Sequence, residues 1–69
     1  MKFGKLFTKL LSKYPQFTTL SANRFSQLQY TELKAIAKAM RANGDLYGNY
    51  THDNHSALAN RVYRAVVEM

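Results

Sequence analysis

The sequence predicts an all-α fold: a single small domain of three helices, over about residues 3–14, 26–43 and 54–68. Three observations lead there. Apolar residues recur with the helical period in each window, turn-forming residues separate the windows, and no stretch alternates apolar and polar residues long enough to build a sheet.

The first helix is the most regular. Phe3, Leu6, Phe7, Leu10, Leu11 and Tyr14 fall at i, i+3, i+4, i+7, i+8 and i+11, one continuous face, and Lys2, Lys5, Lys9 and Lys13 fall on the opposite one. The segment 2–14 therefore reads as a basic amphipathic helix. Pro15 ends it, because proline disfavours helical geometry in the residue before it. Residues 16–25 read as a connector with room for one short helical turn.

In the second window Leu33, Ile36, Ala37 and Met40 share a face, and Gly44 stands where a left-handed C-cap residue belongs. Its start has two readings. Ser26 can cap a long helix that includes Leu28 and Tyr30, or Thr31 can cap a shorter one opening on Glu32, an acid well placed against the helix dipole. Residues 44–54 hold Gly44, Asp45, Gly48, Asn49, Asp53 and Asn54 and read as a loop with Tyr47 and Tyr50 embedded in it. Asp53 or Asn54 can then cap a last helix whose buried face carries Leu58, Val62, Ala65, Val66 and Met69. The expected core joins the last two helices through Leu33, Ile36, Met40, Leu58, Val62 and Val66.

With 69 residues the chain has room for one small core, and at this size folding buries only about 60% of the surface of the unfolded chain. There is no cysteine to staple it, which fits a reducing, cytoplasmic setting. No run approaches the ~20 apolar residues of a membrane span, and lysines interrupt the continuous apolar stretch that a secretory signal requires.

Catalysis is not expected. The chain has no cysteine nucleophile, no glycine-rich phosphate loop and no Ser/His/Asp set, and its four carboxylates are scattered. His52, Asp53 and His55 are imidazole and carboxylate groups of the kind zinc takes, but a structural site wants four ligands and neither a cysteine nor a third histidine is present. No metal and no cofactor are expected, and a capping Asp53 with solvent-facing histidines accounts for the cluster.

Charge is the strongest functional signal. Ten Lys and Arg against four Asp and Glu give a formal charge of +6, and residues 1–30 contain no acid at all. A basic surface of this kind suits an anionic partner. Candidate contacts are Lys5, Lys9 and Lys13 on the first helix, Lys34, Lys38 and Arg41 on the second, and Arg61 and Arg64 on the third, with Tyr47 and Tyr50 able to stack on bases. The same lysine stripe serves equally as a solvated face, and loop tyrosines often lie down on their own core. Tyr63 and Val67 point away from the buried face of the last helix, either into deep burial or into an interface with a protein partner. The Phe and Leu face of the first helix, if uncovered, suits an anionic membrane surface.

The stretch Glu32-Leu33-Lys34-Ala35-Ile36-Ala37-Lys38, followed by Gly44, a loop, and His55-Ser56-Ala57-Leu58-Ala59-Asn60-Arg61-Val62, resembles the helix-extended-loop-helix modules of the SAP and Rho N-terminal type. The likeness spans roughly residues 28–66. The loop 44–54 is several residues longer than in those modules, and His55 stands where a lysine opens their second motif. The resemblance implies a core of Leu33, Ile36, Leu58 and Val62, and backbone contacts to DNA or RNA from Lys34, Lys38 and Arg61. The expectation is thus a non-catalytic protein that binds DNA or RNA through phosphates. The alternatives are a small interaction module, an inhibitor or adaptor docking on a larger protein, and a membrane-surface binder. A homodimer is compatible with all three.

Overall fold

The structure, a computed structural model, describes residues 5–17 and 25–69. Among them are three helices, α1 (Lys5–Lys13), α2 (Tyr30–Ala42) and α3 (His55–Glu68), and single 3₁₀ turns at Pro15–Phe17 and Phe25–Gln27. There is no strand among the described residues, and the fold is a small all-α domain.

α1 buries Phe7 and Leu10, with Tyr14 buried just beyond its end. Leu6 packs partly against the core, and Leu11 is half-buried. The amphipathic face expected from the sequence is therefore turned inward. Lys2 and Phe3, which the sequence assigns to this helix, lie outside the described residues. Pro15 acts as expected, and the backbone N–H of Tyr14 still closes the last turn on the Leu10 carbonyl at 2.8 Å.

α2 begins at neither expected cap. Gln29 is the N-cap in extended geometry, and its backbone N–H donates to Glu32 Oε1 at 2.9 Å. The residues 26–29 that the longer reading placed in the helix instead form the end of a 3₁₀ turn and a short extended link. The turn at Phe25–Gln27 and the extended Gln29 deliver Phe25 and Leu28 to the core, and the bond from the Gln29 N–H to Glu32 fixes the start of the helix. The other end follows expectation. Gly44 takes φ +82°, its N–H bonds the Arg41 carbonyl at 3.1 Å, and the Asp45 N–H reaches back to the Met40 carbonyl at 2.8 Å, the two bonds of a Schellman ending.

α3 is capped by Asn54, whose side chain accepts the Ala57 N–H at 2.9 Å. α3 packs against α1, α2 and the Phe25–Gln27 turn. Its residues Leu58, Ala59, Val62 and Val66 meet Leu33, Ile36, Ala37 and Met40 of α2, and Phe7, Leu10 and Phe25, in one continuous cluster. Phe7 and Phe25 stack with ring centroids 4.5 Å apart and planes 13° from parallel. Each expected core residue is fully buried, and to these the structure adds Phe25, Leu28 and Leu46.

Candidate nucleic-acid interface

The loop joining α2 to α3 is built by its neighbours. Leu46 drops into the core, and Tyr50 is half-buried against it, so the chain is pinned at two points. Asp45 accepts from Lys13 Nζ at 2.8 and 2.9 Å, from the Tyr14 hydroxyl, and from Asn43 Nδ2 at 3.2 Å. This clasp ties the end of α1 to the start of the loop. It holds the Asp45 carboxyl down at about 2, chiefly through the Lys13 ammonium and next through the Tyr14 hydroxyl. The Tyr14 hydroxyl is pushed up in turn, first by burial and then by its bond to Asp45.

At the far end of the loop, Arg61 grips Asp53 in a two-point pair, Nε to Oδ2 at 2.6 Å and Nη2 to Oδ1 at 3.4 Å. The pair lowers the Asp53 carboxyl and raises the Arg61 guanidinium. The middle of the loop is held through its backbone, because Arg41 donates to the Gly48 carbonyl and Arg61 Nη1 approaches the Tyr47 carbonyl at 3.5 Å. Gly48 lies at φ +91°, and a Cβ there would stand 3.0 Å from Arg61 Nη1. The Tyr30 hydroxyl donates to the Asp53 carbonyl at 2.9 Å, and His55 Nε2 lies 2.6 Å from the Leu28 carbonyl, each joining the ends of α2 and α3.

These contacts revise several sequence expectations. Lys13 has an acid partner after all, supplied by the loop 32 residues away in the chain. Asp53 does not cap α3 but pairs with Arg61. His55 does not simply face solvent, because its ring is bonded to Leu28. Among the described residues no three His, Cys, Asp or Glu side chains gather into a metal-binding group. Of the two loop tyrosines, Tyr50 lies on the core while Tyr47 is 79% exposed.

The remaining candidates are spread over all three helices. Lys5 and Lys9 on α1, Lys34, Lys38 and Arg41 on α2 and Arg64 on α3 are exposed and pair with no carboxylate among the described residues. Lys9 Nζ lies 3.3 Å from the Val67 carbonyl, where it complements the negative end of the α3 dipole, and Lys34 Nζ sits 5.5 Å over the Tyr30 ring. Tyr63 sets its ring edge against Phe25 yet stays 46% exposed, with Val67 beside it at 48%.

The described residues also form a groove with Arg61 and Arg64 in its lining. It holds about 490 Å³ between the loop and α3, with Leu46 and Ala57 among its lining, Tyr47 and Arg64 on its walls, and Asp45, Asp53 and Glu68 contributing the acids. Asp45 and Asp53 are already engaged by Lys13 and Arg61. Neither the loop's anchoring nor this groove has a local sequence signal, since the groove is created by contacts between residues far apart in the chain.

Comparison with protein-family models, with curated proteins and with solved structures found no match in any of the three, so the function rests on the geometry of this chain.

Proposed function

We propose that this chain is a non-catalytic binding protein whose partner is nucleic acid, held through its phosphates. The observation that carries the reading is the way the carboxylates are used. Asp45 and Asp53 are tied up in internal ion pairs and Glu32 in the cap of α2, while Lys5, Lys9, Lys34, Lys38, Arg41 and Arg64 remain outward with no carboxylate partner among the described residues. Each internal pair removes one cation together with its acid, so the formal +6 of the chain is carried by the cations outside those pairs, set against Glu32 and Glu68. Cations drawn from three helices suit a phosphate backbone, which offers charge along its length and asks for little sequence reading.

The apolar groups point the same way. Phe7 and Leu10 are fully committed to the core, which takes from α1 the face that membrane insertion needs. No described helix is long and apolar enough to cross a bilayer. One observation favours a second reading, a protein partner. Tyr63 and Val67 form a half-exposed apolar pair on α3, and a dominant contribution from Tyr63 is what an anchor residue would give.

Charge reversal separates the two. Lys5→Glu with Lys9→Glu, and Lys34→Glu with Lys38→Glu, should each weaken binding to random-sequence DNA and RNA by a similar factor, while Tyr63→Ala leaves it unchanged. Unaltered binding in both reversal variants, with loss in Tyr63→Ala, would promote the protein partner.

A further inference from the structure

We infer that the groove between the loop and α3 seats an unpaired nucleotide, so that the preferred ligand is single-stranded nucleic acid; the inference rests on the nucleic-acid reading above. The starting point is Tyr47. Its neighbours are fixed on every side: Leu46 is buried, the Tyr47 carbonyl faces Arg61, and the Gly48 carbonyl accepts from Arg41. Yet the Tyr47 side chain is 79% exposed, the most exposed large apolar group among the described residues. The fold holds the backbone and makes little use of the ring. A bare phenol ring carried on an anchored backbone is free to stack on a base, and every base offers a π face.

The rest of the groove supplies what a nucleotide needs. Its volume of about 490 Å³ lies within the range of small-molecule sites, enough for one nucleotide. Leu46, Ala57 and Ala65 line it with apolar atoms, and Asn60 offers an amide that can both donate to and accept from a base edge. Arg64 stands on the wall without an ion-pair partner among the described residues, in reach of a phosphate on the same chain of nucleotides. Arg61 is excluded from that role because Asp53 holds it, and it positions the loop instead. Of the three acids in the lining, Asp45 and Asp53 are neutralised by their partners, and Glu68 is the one that opposes an incoming phosphate. Paired bases in a duplex are stacked on each other and cannot offer a face to Tyr47, which is why the geometry favours single strands.

The test measures fluorescence anisotropy of a labelled oligo-dT, an oligo-rU and a duplex of equal length with the full chain at low salt. The wild type should bind the single strands more tightly than the duplex. Tyr47→Ala should weaken single-strand binding roughly five- to hundredfold, the range of one lost base stack, and leave duplex binding and the salt slope unchanged. Tyr47→Phe should keep most of the affinity, and Arg64→Gln should weaken single-strand binding and flatten its salt slope. Thermal melts check that each variant is folded. If the wild type binds nucleic acid but Tyr47→Ala changes nothing, or changes single strand and duplex alike, the groove assignment is overturned and the phosphate reading stands. If the wild type binds none of the three probes, both are overturned.

Discussion

Asp45 shows how much one side chain can organise. It accepts bonds from Lys13, Tyr14 and Asn43, and so joins the end of α1 to the loop that follows α2. Its carboxyl is held at about 2 against an ordinary 3.8, so it binds fewer protons in the folded state than in the unfolded one. Its contribution to stability is therefore complete above 3.8 and is lost as pH falls toward 2. Urea unfolding from neutral pH down to about 2 should show an acid loss of stability that Asp45→Asn makes shallower, and parallel curves would refute the clasp. Tyr14 gives the opposite limb. Burial first and Asp45 second raise its hydroxyl above 10.0, so its contribution is present below that value and is lost as pH rises through the folded-state value. Tyr14→Phe should make the alkaline loss of stability shallower.

At the scale of elements, the boundaries are set by caps of different strength. Asn54→Ala removes a bond that satisfies the Ala57 N–H and should cost about 1 kcal/mol in chemical denaturation. Gly44 lies at φ +82° with open space where a Cβ would go, so Gly44→Ala should cost about 1 to 2 kcal/mol through the backbone alone. Equal stability of either variant with the parent would show that the cap does not matter. The helices were legible where periodicity was strong, as at Leu33, Ile36, Leu58 and Val62, because the apolar spacing is itself the cause of the packing. The start of α2 was not, since Ser26, Thr31 and Gln29 all stand near the boundary and the bond from the Gln29 N–H to Glu32 decides it. Leu46 was equally hidden. It is one apolar residue among turn formers, and only the approach of α2 and α3 makes a place for it. The basic candidates could be named from the sequence. Which of them were already engaged could not, because the Lys13–Asp45 pair spans 32 residues and nothing local announces it.

For the molecule as a whole, α3 is the element on which the core converges, and Leu58 is fully buried within it. Leu58→Ala should cost about 2 to 5 kcal/mol. A core in this size range supplies roughly 3 to 5 kcal/mol in all, so the variant should be largely unfolded by circular dichroism, and a cooperative melt near that of the parent would contradict the packing described. On the outside, Asp45 and Asp53 are held in ion pairs and Glu32 in a cap, Glu68 is exposed, and cations are left outward on all three helices. The function proposed from this arrangement is electrostatic binding to phosphates, and the most direct measurement is the affinity for random-sequence DNA and RNA across a salt series. Log affinity should fall linearly with log salt, at about −0.9 for each phosphate neutralised on duplex DNA and about −0.7 on single strands, with a total slope of several such steps. Absence of binding at low salt, or an affinity that does not respond to salt, would contradict it.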